Sequence, residues 1–228
     1  MMDTRTHFHK ALDHLKTRLI ELGNKAEDAI EFAVQGYLSR DTAACSRVLA
    51  MESEIDLAER HIDQLALDIL ATQQPLAVDL RFITACMKIN SDLERVGDHA
   101  AAIARRGLTE TRLPAIELPI DLSRIAARSA GMIQQALNAF ITQDLEMANA
   151  VLKTDDLRGR IDDQTWIALV GRMHQAPETL EQLLDALIVV RDLSRVADHA
   201  TNIAEDVILW VSGMDVRHTA GRIPAAGE

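Results

Sequence analysis

Asn90-Ser91-Asp92-Leu93-Glu94-Arg95-Val96-Gly97-Asp98-His99-Ala100 is answered downstream by Arg191-Asp192-Leu193-Ser194-Arg195-Val196-Ala197-Asp198-His199-Ala200. Aligned on the shared Arg-Val-x-Asp-His-Ala, the copies lie 195 − 95 = 100 residues apart. The self-match makes the chain two copies of one structural unit. It also marks a pair of carboxylate clusters that packing alone does not call for.

A second anchor extends the repeat. Asp41, Val48-Leu49 and Glu52 are matched by Asp144, Val151-Leu152 and Asp155, at an offset of 144 − 41 = 103. The offset falls by 103 − 100 = 3 residues between the two anchors, so both halves share helix order and approximate length.

Between the anchors the apolar period is helical. Leu12, Leu15, Leu19, Leu22, Ala26, Ala29 and Ala33 alternate steps of three and four. Val48, Ile55, Ile62 and Ile69 repeat every seven residues, interleaved by Met51, Ala58 and Leu65. Leu122, Ile125, Ser129, Met132, Ala136 and Ala139 repeat the pattern in the second half. These are the seams of long antiparallel helices packed as a bundle.

Arg40-Asp41 separates the first two helices, and Gln73-Gln74-Pro75 ends the second and starts the third, where Pro is tolerated in a first turn. Gly107, Pro114 and Pro119 mark a linker over 107–120, and Ala176-Pro177 parts the last two helices. The predicted fold is all-α: two tandem repeats of an antiparallel three-helix bundle. The repeats are placed at 7–106 and 121–212, followed by a frayed tail over 213–228.

Composition agrees. Aromatic residues make up 3% of the 228, and Gly and Pro together number 10 + 5 = 15, which favours helices over a sheet. The net charge of −11 argues against a nucleic-acid partner and fits cations or basic protein surfaces. Cys45 and Cys86 read as buried small apolar residues in a reducing cytosol. No apolar run reaches membrane-span length, and the N-terminus has no apolar signal core. A cytoplasmic protein is expected, touching a membrane only through partners.

On a helix turning ~100° per residue, Glu94 and Asp98 share the stripe of Leu80, Ile83 and Met87. A like-charge i,i+4 pair costs a helix ~0.2–0.5 kcal/mol, and partial burial adds to that. A bound cation resolves the conflict, and so does an Arg or Lys from a neighbouring helix; spacing alone leaves the two readings level. His99 projects about 140° from Glu94 by the same rule, onto a face with Lys88, Asp92 and Arg95 that is expected to be solvated. Arg95 and Arg195 equally suit a partner contact. In the second copy Ser194 replaces Glu94, while Asn202 and Glu205 follow Asp198 at i+4 and i+7 and offer a different ligand set. Asp92 and Asp192 face elsewhere and are not ligands.

No P-loop, dinucleotide glycine fingerprint, nucleophile signature, HExxH or Glu-x-x-His is present. His7, His9 and His14 read as a frayed solvated segment, and Trp166 and Trp210 as bundle core or interface aromatics.

Ala71-Thr72-Gln73-Gln74-Pro75-Leu76-Ala77-Val78-Asp79-Leu80-Arg81 resembles the signature joining the second and third helices of PhoU proteins. Leu93-Glu94-Arg95-Val96-Gly97-Asp98-His99 resembles their repeated E/D-xxx-D motif, and Met51-Glu52-Ser53-Glu54-Ile55-Asp56 their second-helix pattern. The resemblance spans about residues 7–212. It implies a cytoplasmic accessory protein, often a homodimer. Such a protein links the ATPase subunit of a phosphate ABC transporter to a sensor histidine kinase, represses the phosphate-starvation response and restrains uptake. It also implies metal at the E/D-xxx-D motifs, carried here onto Glu94, Asp98 and Asp198. The ion would be divalent or trivalent: iron, zinc, manganese or magnesium. The rival reading is a metalloenzyme or metal-storage bundle using the same carboxylates.

Overall fold

A computed structural model describes residues 2–217, with the side chains of residues 2–6 and 155–162 outside that description. Residues 218–228 of the expected tail, and the side chain of Asp155, therefore lie outside the described residues.

Six helices carry the chain: α1 Met2–Ser39, α2 Thr42–Gln73, α3 Ala77–Glu110, α4 Leu122–Thr142, α5 Leu145–Gln175 and α6 Leu180–Ser212. A 3-10 turn, Pro177–Thr179, precedes α6. The first turn of each repeat is built alike. Arg40 and Gln143 both sit in the left-handed region with φ 59°, and 143 − 40 = 103 places them at equivalent positions. Each is followed by an aspartate that caps the next helix. Asp41 Oδ1 accepts from the Ala43 and Ala44 amides at 2.8 and 3.1 Å, and Asp144 Oδ1 from those of Glu146 and Met147 at 2.8 and 3.0 Å. Such a cap contributes about 1 kcal/mol by satisfying otherwise orphaned amides.

The predicted seams are the core. Leu15, Leu19, Leu22, Ala26, Ala29 and Ala33 are fully buried, as are Val48, Ile55, Ile62 and Ile69 on α2 and Leu122, Met132, Ala136 and Ala139 on α4. These residues join one continuous apolar cluster drawn from all six helices. α3 and α6 pack against each other at its centre, and α1 also packs on α4, so the two bundles share a core. Cys45 and Cys86 are free and buried in it.

Two local expectations are corrected, and a third, on the tryptophans, divides between core and surface. The helix does not stop at Gly107, because α3 runs on to Glu110. A Cβ at residue 107 would lie 2.6 Å from Cys45 Sγ and 3.2 Å from the Tyr37 backbone, so this glycine permits close packing. His7, His9 and His14 are exposed but lie within α1, with Arg18 Nε donating to His14 Nε2 at 3.3 Å. Trp210 is buried, 5.0 Å from the Phe82 ring and 5.2 Å from that of Phe140, whereas Trp166 is 56% exposed beside an exposed Ile167.

Candidate functional site

α2 and α3 run antiparallel through the turn at Gln74, whose φ is 47°. Glu52, Asp56, Glu59 and Asp63 follow steps of four, three and four, which puts four carboxylates on one face of α2. That face meets the Asn90, Glu94, Asp98 and Arg105 side of α3. Both ends of the strip are tied. Asn90 Nδ2 donates to Asp63 Oδ1 and to the Glu59 carbonyl, each at 2.9 Å. At the other end Arg105 Nη2 donates to both carboxylate oxygens of Glu52, at 2.7 and 2.6 Å.

Between the ties, Asp56, Glu94 and Asp98 converge, with one ligand oxygen from each within 4.8 Å of the others. Arg95 lies over two of them: its Nε is 3.4 Å from Glu94 Oε2 and its Nη1 3.2 Å from Asp98 Oδ2. This one guanidinium does not discharge the site. The Glu94 carboxyl is held above its ordinary range by burial and then by Asp98, against the pull of Arg95, with Glu59 and Asp56 adding to the rise. Glu59 is raised as well, by burial first and then by Asp63.

Three half-buried carboxylates carrying surplus negative charge are a hard-oxygen donor set. They fit a divalent cation whose remaining positions are filled by water. The structure thus brings Glu94 and Asp98 together and adds Asp56, which spacing on α3 alone could not reveal. Its signal was in the sequence: the 52–56–59–63 stripe flanks the Ile55 and Ile62 seam and so must border α3.

Asp198, Asn202 and Glu205 are placed differently. Asp198 Oδ2 accepts from Arg195 at 3.2 Å, and Glu205 Oε2 lies 3.8 Å from Arg217 Nε. Asn202 turns to α3, where its Nδ2 donates to Asp92 Oδ1 at 3.1 Å. Among the described residues the triad on α2 and α3 is the one group of three acidic, histidine or cysteine side chains whose ligand atoms converge. The sequence adds a reason. The 103-residue offset sets Gly159 against Asp56, as the 100-residue offset sets Ser194 against Glu94.

The opposite face of the motif corrects the expectation for His99 and His199. They are not on a solvated surface. They sit in the joint where α3 crosses α6 antiparallel, their side chains 23% and 18% exposed. His199 Nδ1 is 2.8 Å from Asp92 Oδ1, and His99 Nδ1 is 3.3 Å from Asp192 Oδ1. The two imidazoles lie 5.7 Å apart between centroids. Asp92 and His99 are seven residues apart and share a helix face, as are Asp192 and His199, so each repeat presents the same acid–imidazole pair to the other. Arg106–Asp185 at 2.7 Å and Lys88–Asp206 at 3.4 Å extend the joint in both directions.

The whole arrangement has counterparts. The PhoU domain family model matches the chain twice, over residues 19–107 and 122–207. The chain belongs to the PhoU family. A Pseudomonas aeruginosa relative named as a phosphate-specific transport system accessory protein PhoU homolog is 34% identical over 95% of this chain and 92% of its own. The Escherichia coli phosphate-specific transport system accessory protein PhoU is 27% identical over 94% of this chain and 89% of its own. The crystal structure of PhoU from Pseudomonas aeruginosa superposes with a TM-score of 0.87 at 32% identity, covering 91% of this chain and all of that one. The phosphate transport system regulatory protein PhoU of Streptococcus pneumoniae, 24% identical, shares the fold with a TM-score of 0.83. The two PhoU matches divide the chain at its internal repeat. The relatives are named as accessory or regulatory proteins, and none of these names is that of an enzyme.

Proposed function

We propose that this PhoU chain serves a phosphate-specific transport system from the cytoplasmic side. In this reading it contacts the transporter's ATPase subunit and a sensor histidine kinase, and holds the phosphate-starvation response down when phosphate is plentiful. The observation that carries the proposal is the match to phosphate-transport accessory proteins over nearly the full length of both chains, including both repeats. Two further features support it. The described helices include none long and apolar enough to cross a membrane, so membrane contact would run through partners. Charged and polar side chains of the repeated motif, among them Asn90, Arg105 and His199, are tied into helix joints. Deletion of the gene is expected to switch on phosphate-starvation genes in phosphate-rich medium; unchanged expression would overturn the regulatory reading.

A metal role belongs to the same proposal. Asp56, Glu94 and Asp98 would hold one divalent or trivalent ion, tying α2 to α3 and neutralising the strip; its part is structural, with no reaction step assigned. Elemental analysis of purified protein, compared with Asp56→Ala and Asp98→Ala, tests this directly. Redox turnover of a loaded protein would favour the metalloenzyme reading instead. The homodimer is tested by light scattering of the full chain.

A further inference from the structure

α1 and α4 pack against each other antiparallel. Lys16 Nζ donates to the Ile141 carbonyl at 2.9 Å, and a Cβ on Gly23 would come 2.5 Å from Leu137 Cδ1. Beyond that contact the helices part, leaving a groove of about 910 Å³. Ile30 and Val34 form its floor. The α4 wall is built from small residues, including Ala127, Ala130 and Gly131, and a Cβ placed on Gly131 would meet nothing within 4 Å. The α1 rim is acidic: Glu27, Asp28 and Glu31.

These three carboxylates make no ion pair or side-chain hydrogen bond among the described residues. Glu27 and Glu31 are i,i+4 neighbours of like charge, an arrangement that destabilises a helix left to itself. Burial, with Asp28 adding, raises the Glu27 carboxyl to about 7. The groove also shares Leu38 and Ser123 with a pocket of about 290 Å³ at its far end, lined by Glu110. Glu110 is 7% exposed, and its Oε2 has no hydrogen-bond partner.

We propose that the α1–α4 groove is a docking site for a basic amphipathic helix of another protein. The helix would lay its aliphatic face on the accessible apolar lining, Leu38, Ala127 and Ala130, over the buried Ile30 and Val34, with lysines or arginines against Glu27, Asp28 and Glu31. Two diverging helices offer the ridges that a third helix packs into, and the acidic rim selects its charge. A second copy of this chain is a poor occupant. Two-fold pairing through the groove would set the acidic rim against itself, on a chain already carrying −11. The inference goes beyond the phosphate role and is tested separately from the gene deletion.

The probe is a fluorescein-labelled synthetic peptide of about 18 residues with leucine at helical i, i+3, i+4 and i+7 spacing and lysine elsewhere. A second peptide carries glutamate in place of each lysine. Fluorescence anisotropy with the full chain should give saturable binding of the lysine peptide and none of the glutamate peptide. Glu27→Gln with Glu31→Gln, and separately Gly131→Trp, should each weaken binding at least tenfold. Asp79→Gln with Glu146→Gln removes equal charge elsewhere and should leave it within about twofold, circular dichroism confirming that each variant is folded. The proposal is overturned by absent binding, by equal loss in both charge pairs, or by full binding to Gly131→Trp. It is also overturned if light scattering shows that Gly131→Trp turns a dimer into a monomer, which would make the second copy the occupant.

Discussion

The two copies of the repeated motif agree on one face and differ on the other. Toward the α3–α6 joint, Asp92 and His99 are reproduced as Asp192 and His199, and each acid meets the imidazole of the other repeat. Away from it, Glu94 becomes Ser194 and Asp56 is matched in sequence by Gly159, and among the described residues the converging carboxylate triad belongs to the first repeat. The difference follows from what each face touches. A contact across a pseudo-two-fold axis uses both copies at once, so a change in one strands a group in the other. The outer face of each bundle answers only to itself and is free to diverge.

The largest effect should come from breaking the shared face. Asp92→Ala removes the acceptor for both His199 and Asn202, and is expected to cost about 2 kcal/mol in chemical denaturation. If the joint works as a pair of locks, a double-mutant cycle of Asp92→Ala and His199→Ala will show coupling of about 1 kcal/mol, whereas Asp98→Ala with His99→Ala will add independently.

Next comes the face that differs. Asp56→Ala is expected to weaken manganese or zinc binding, read by calorimetry, by at least about tenfold, the same class of loss as Glu94→Ala. Asp198→Ala should leave it unchanged. Equal loss from Asp198→Ala would erase the asymmetry argued above. A smaller effect tests the same point from the other side: Ser194→Glu alone should raise the number of bound ions by none, because the repeat offset sets a glycine at the position that matches Asp56.

The smallest effect concerns pH. Glu94 has its folded-state pKa raised, chiefly by burial and then by Asp98. A carboxyl raised in this way holds its proton better when folded, so stability falls as pH rises from the ordinary carboxylate range through the raised value. Glu94→Gln removes that penalty. With the side chain only half-buried and Arg95 beside it, the expected gain above neutral pH in metal-free buffer is only about 0.5 kcal/mol. A variant that loses stability there would show that Arg95 already balances the site.

The helical plan was legible because long amphipathic helices write their period plainly. Every seam named on α1, α2 and α4 is buried or half-buried in the core. Gly107 misled because a glycine in sequence does not distinguish a chain break from a place where two helices must approach closely; only the position of Cys45 and Tyr37 decides. The site was half legible. Glu94 and Asp98 follow from spacing within one helix, but Asp56 depends on how α2 and α3 are registered, which is a tertiary fact. His99 was correctly turned away from Glu94 by wheel geometry. What a wheel cannot supply is the next layer: the face it turns to is covered by α6. The partner of Asn202 was hidden for the same reason, since the carboxylate its Nδ2 donates to is Asp92 on α3, 110 residues away in sequence.

The Asp–His joint has a consequence for how such a chain is assembled. Each repeat carries both the acid and the imidazole on its own central helix, so it is complementary to itself as well as to its neighbour. Expressed alone, the first repeat would expose Asp92, His99 and the apolar side of α3, and a second copy offers the cover that α6 normally provides. Half-chains are therefore expected to pair two by two, α3 against α3, with sedimentation reading a dimer where the intact chain would count one covalent unit. On this view the linker over 111–121 does the work of concentration: it turns what would otherwise be a meeting of two subunits into a step within one molecule.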